Sequence, residues 1–89
     1  MMGRTVPSWR MALEEEAKRW NKFARILRRE DRPIFEEMVD EARRYACEAS
    51  AAAFPSQAEG MLLSILFSHH KMLKALGERL DELTQRLNR

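Results

Sequence analysis

Few side chains in this 89-residue sequence have the types and spacing of reactive or metal-binding groups, and those few are scattered. His69 and His70 are the only histidines, and they are adjacent. Neighbours on a helix point about 100° apart, so the two do not converge on one ion from a single chain. Neither HExxH nor ExxH spacing is present. Cys47 is the single cysteine, which excludes an intrachain disulfide and a cysteine-rich zinc site. A nucleophilic thiol needs a lowered pKa and a nearby base, and the sequence offers Cys47 neither, so it reads as a small buried apolar residue. Ser64 and Ser68 lack the strand–turn–helix elbow that exposes a nucleophilic serine. The reading is therefore of no catalytic residue, no metal ligand set, no cofactor and no enzyme.

A second chemistry is anion binding. Lys18, Lys22, Arg25, Arg29 and Arg32 recur at intervals of 4, 3, 4 and 3, which places them on one helical face with Arg28 beside it. Arginines outnumber lysines twelve to four, which suits bidentate contacts to phosphate. Doubled in a dimer, this face could hold nucleic acid electrostatically. Against that stands a net charge of only +2, with no RNP, helix-turn-helix or zinc-finger pattern. Charge is distributed as +4 over residues 1–35, −4 over 36–60 and +2 over 61–89. Glu36, Glu37, Asp40, Glu41 and Glu48 are thus available to neutralise the stripe internally, and a solvated, salt-bridged face is the favoured expectation.

The elements that must position these groups are helices. Three glycines and three prolines leave few breakers, and Val and Ile are scarce, so the composition predicts an all-α chain of one domain. Thr5 or Ser8 can cap a first helix over about 8–30, after an N-terminal arm of residues 1–7. Its stripe runs through Trp9, Leu13, Ala17, Trp20, Ala24 and Leu27, widened by Met11, Phe23 and Ile26. Arg32 precedes Pro33 and is pushed out of the helical region, which sets a break near Glu30. A second helix, about 32–53, carries Phe35, Met38 or Val39, Ala42, Tyr45 or Ala46, Ala49, and Ala52 or Ala53 inward; its alanines require a close neighbour. Ser56 and Glu59 fit a capping box that opens a third helix over about 57–88.

That third helix holds the strongest pattern. Leu62, Leu66, His69, Leu73, Leu76, Leu80, Leu83 and Leu87 are spaced 4, 3, 4, 3, 4, 3 and 4, a seven-residue repeat that forms an a/d seam. Around residues 61–67 nearly every side is apolar, which predicts a first half buried on all sides; past Lys74 only the seam stays apolar. The helix also outreaches its companions. A three-helix unit assembled as a homodimeric helical bundle is therefore expected, with His69 as a polar seam residue that fixes register. The competing arrangement is a monomer in which the first helix covers the whole seam. Leucine at both a and d leaves oligomer size and helix direction open.

The longest apolar run is far shorter than the ~20 residues a membrane span needs, and residues 1–10 lack the apolar core of a signal peptide, so a cytoplasmic protein is expected. The opening Met2-Gly3-Arg4-Thr5-Val6-Pro7-Ser8-Trp9-Arg10 resembles a family of small uncharacterised archaeal proteins with an MGRTxPS-aromatic-R start. The likeness extends to a Glu/Arg-rich first helix with a tryptophan and a later helix of the MLLSILF kind. It implies an archaeal, cytosolic origin, Met1 as an extra start residue, and no assigned activity. The favoured function is a non-catalytic oligomeric scaffold or protein-interaction module whose partners are itself and another protein. The alternative is a nucleic-acid accessory protein using the basic face.

Overall fold

A computed structural model describes residues 9–88, and all the regular structure among them is helical. The expected arm and the Thr5 and Ser8 caps lie outside the described residues. Helix α1 spans Trp9–Ile26. It buries Leu13 completely and lays Trp9 and Trp20 against the core. It stops before the expected Glu30 because Arg28 turns extended, at φ −61° and ψ 152°. A 3₁₀ turn, Arg29–Asp31, follows, closed by the Asp31 amide donating to the Arg28 carbonyl at 2.9 Å. Arg32, expected to leave the helical region before Pro33, instead has φ −60° and ψ −45°. Its guanidinium donates back to the Arg25 carbonyl at 3.2 Å, satisfying one acceptor left open at the end of α1.

The expected second helix is divided. α2 covers Arg32–Arg44 with Pro33 in its first turn, where the missing N–H is not needed. α3 covers Ala46–Ala52, and Tyr45 between them leaves helical geometry at φ −102° and ψ 20°. The break coincides with an anchor on another element: the Tyr45 ring stands edge-on to Phe67 at 5.5 Å, and its hydroxyl accepts from Lys71 Nζ at 3.3 Å. Val39, Ala42, Ala46 and Ala49 form the buried stripe, whereas Ala52 and Ala53 are exposed. α3 ends at Ala53, which adopts the left-handed conformation at φ 54°, a place that glycine fills at less cost.

α4 runs unbroken over Gln57–Leu87, about 46 Å for its 31 residues. Ser56 occupies the N-cap position with extended backbone, but its side chain makes no capping hydrogen bond, so the expected box supplies the boundary without the bond. Close packing begins at once. A Cβ on Gly60 would stand 3.0 Å from Trp9 Cζ2 and 3.4 Å from Ala49 Cβ, so the missing side chain lets α1, α3 and α4 converge. Met61 and Ile65 complete a small core with Leu13, Ala42 and Ala46. Three of the seven buried apolar residues among those described, Ala42, Ala46 and Ala49, are alanines that each bury little, so the core is small.

Candidate interaction surfaces

The buried stripe of α4 is Met61, Ser64, Ile65 and Ser68. The heptad seam lies about a third of a turn from it, and every one of its eight positions is exposed. The seven leucines, 62, 66, 73, 76, 80, 83 and 87, are each at least 52 % accessible, and Leu87 reaches 85 %. Leu63 and Phe67, on the opposite flank, are exposed too. The first half of α4 is therefore covered on one side, not on all sides as its apolar perimeter predicted. α1 is too short to cover the seam, and from His69 to Asn88 every residue is solvent-exposed.

Beside the seam lies a feature that no periodicity announces. Leu27, Ile34, Met38, Glu37, Glu41 and Met72 line part of an open groove of about 720 Å³ between the end of α1, α2 and α4, with His69 on its rim. Its floor is apolar. Its walls carry Asp31, Glu37, Asp40 and Glu41 against one cation, Arg44. The signal was divided among three segments of sequence, and only tertiary packing assembles it.

Lys18, Lys22 and Arg25 keep the 4, 3 spacing on α1, but the helix ends at Ile26, so Arg28, Arg29 and Arg32 lie beyond the expected face; all six are exposed, and the expected internal neutralisation is not found. Lys18 faces Glu15 at 4.0 Å within α1. Lys22, Arg25, Arg28, Arg29 and Arg32 form no ion pair among the described residues. The acids of α2 are engaged elsewhere. Asp40 accepts from Arg43 Nη1 at 2.6 Å, and Glu41 lies 3.8 Å from Arg44 Nη1 while accepting from the Ser68 hydroxyl at 2.5 Å. Arg43 also bridges to α1, donating from Nε and Nη2 to the two oxygens of Glu14 at 2.8 and 3.0 Å. These hydrogen bonds hold the Glu14 carboxyl below its ordinary range and the Arg43 guanidinium above its own.

The remaining reactive groups stand apart. Cys47 is exposed, contrary to the buried position expected for it, because α3 turns its alanine side to α4. Ser64 donates to the Gly60 carbonyl at 2.7 Å. His69 and His70 are exposed, and among the described residues no group of three or more His, Cys, Asp or Glu side chains is placed to hold a metal ion.

Over residues 2–89 the sequence matches the family described as Domain of unknown function (DUF8156). The chain belongs to that family. The match takes in the opening motif, all four helices and the seam, so the DUF8156 unit is the whole helical assembly described above. No curated protein and no solved structure matches the chain. None of the DUF8156 chain's described helices is long and apolar enough to cross a membrane.

Proposed function

We propose that this DUF8156 protein is a non-catalytic helical module that pairs with a second copy of itself through α4 and offers the paired bundle to a protein partner. The observation that carries the reading is the row of seven exposed leucines, interrupted only at His69. Each offers on the order of 60–100 Å² of apolar surface. Seven supply on the order of 500 Å² per chain, so two copies bury about 1,000 Å² before Met72 and the groove are added, which is the scale of a specific interface. Isolated leucines on a surface need no explanation, but a continuous row of this size does. The archaeal source and cytoplasmic setting implied by the opening motif belong to the same reading.

Sedimentation at micromolar concentration tests it. The wild-type chain is expected at the mass of a dimer. Leu80→Glu with Leu83→Glu is expected to give a monomer that keeps most of its helical circular dichroism. A monomeric wild type, or an unchanged mass in the variant, refutes the pairing.

The unpaired cations support a second reading, in which the basic face from Lys18 to Arg32 binds nucleic acid as an accessory surface. Electrophoretic shift titrations at two salt concentrations separate it from the first. Binding that weakens steeply with salt and disappears on charge reversal of Arg25, Arg28 and Arg29 supports it. No shift at low salt removes it.

A further inference from the structure

The groove beside the seam and the bare half of α4 are complementary. The heptad places Leu66, Leu73, Leu80 and Leu87 at a, and Leu62, His69, Leu76 and Leu83 at d. Set antiparallel, two copies pair a with d around a centre between residues 74 and 75. Leu62 then meets Leu87, Leu66 meets Leu83, His69 meets Leu80 and Leu73 meets Leu76, with no seam position left over. The flanking g positions hold Ile65, Met72, Arg79 and Arg86, and antiparallel pairing sets g against g. Arg79 of one copy thus arrives beside Met72 of the other, at the groove whose walls carry Glu37 and Glu41. Glu37 has no ion pair among the described residues, so its charge is available.

Parallel in-register pairing also leaves no seam position over, but it does not bring Arg79 to the groove. It sets g against e, which brings Arg79 to Thr84 and Met72 to Gly77, with no acid opposite Arg79. It also stacks His69 on its own copy and lays bare half on bare half, so neither tail gains a bundle to pack on. We infer that, if the chain dimerises as proposed above, the two α4 helices run antiparallel. The C-terminal half of each lies along the seam and groove of the other, with Arg79 against Glu37. Each tail then completes the partner's bundle as an added helix. Two such contacts form in one dimer, since a two-fold axis repeats every contact.

Disulfide trapping in a Cys47→Ala background tests the direction. Leu62 and Leu87 are exposed, so L62C and L87C are tolerated by the monomer fold. A covalent dimer is expected on mixing L62C chains with L87C chains, and none from either alone. Efficient homodimer trapping by L87C alone overturns the antiparallel arrangement while leaving self-association intact. A wild-type monomer in sedimentation overturns self-association itself. Charge exchange tests the groove contact: R79E and E37K are each expected to weaken pairing about tenfold, since each removes both symmetry-related contacts. The double variant is expected to return to within about threefold of wild type, and failure of that rescue overturns the groove contact.

Discussion

Arg43 joins three carboxylate oxygens on two helices, and its pairing with Glu14 is the ion pair that ties α1 to α2 among the described residues. Both partners are partly solvated, so Glu14→Gln is expected to cost only about 1 kcal/mol. The pH dependence has a defined sign. The Arg43 hydrogen bonds hold the Glu14 carboxyl below the ordinary carboxylate range, so its contribution is complete above that range and is lost as the pH falls through the lower native value. Urea unfolding followed by circular dichroism should show wild type and variant separated at pH 7 and converging in acid. Ala53 presents the opposite case, a residue in a conformation that penalises its Cβ. Ala53→Gly is expected to raise stability by about 1 kcal/mol, read from the same unfolding curves.

At the scale of the helix, two glycines in α4 answer differently to one substitution. Gly77 has open space around its missing side chain, so Gly77→Ala should stabilise by about 0.5–1 kcal/mol through helix propensity. Gly60 has the Trp9 ring in the way, and Gly60→Ala should destabilise by about 1 kcal/mol despite the same propensity gain. Thermal melts of the two variants should shift in opposite directions. The contrast marks what sequence can convey. Apolar spacing, proline positions and the Ser56–Glu59 pattern gave α4 nearly to the residue, placed Leu13 and Ala42 inside, left Tyr45 or Ala46 open (Ala46 is the buried one), and put Pro33 in a first turn. Periodicity does not report the extended turn at Arg28 or the division at Tyr45. The turn at Arg28 carries no glycine or proline to announce it, and the division at Tyr45 coincides with a contact to the distant Phe67 ring in α4. Likewise the seam was legible as a pattern on one helix. The groove beside it was not, since its lining comes from residues 27 to 72 and each contributes too little to stand out alone.

For the whole molecule, the core ends where the long helix does not. Beyond Met72 the last four turns of α4 have only their own hydrogen bonds to hold them, and isolated helices of that length are marginal in water. Amide exchange in residues 73–87 should therefore depend on protein concentration: slow when pairing is complete, and fast on dilution while residues 57–68 stay protected. Fast exchange of residues 73–87 at both concentrations would mean that no second chain covers the tail. The outward-facing thiol of Cys47 supplies a ruler for the same question. It lies level with the first turns of α4, some twelve residues from the midpoint of the row. A nitroxide attached there would sit roughly 35–40 Å along the axis from its twin in a head-to-tail pair, but at the same height in a head-to-head one. The native chain thus already carries, at a single unaltered position, the probe needed to read out which way its two rods point.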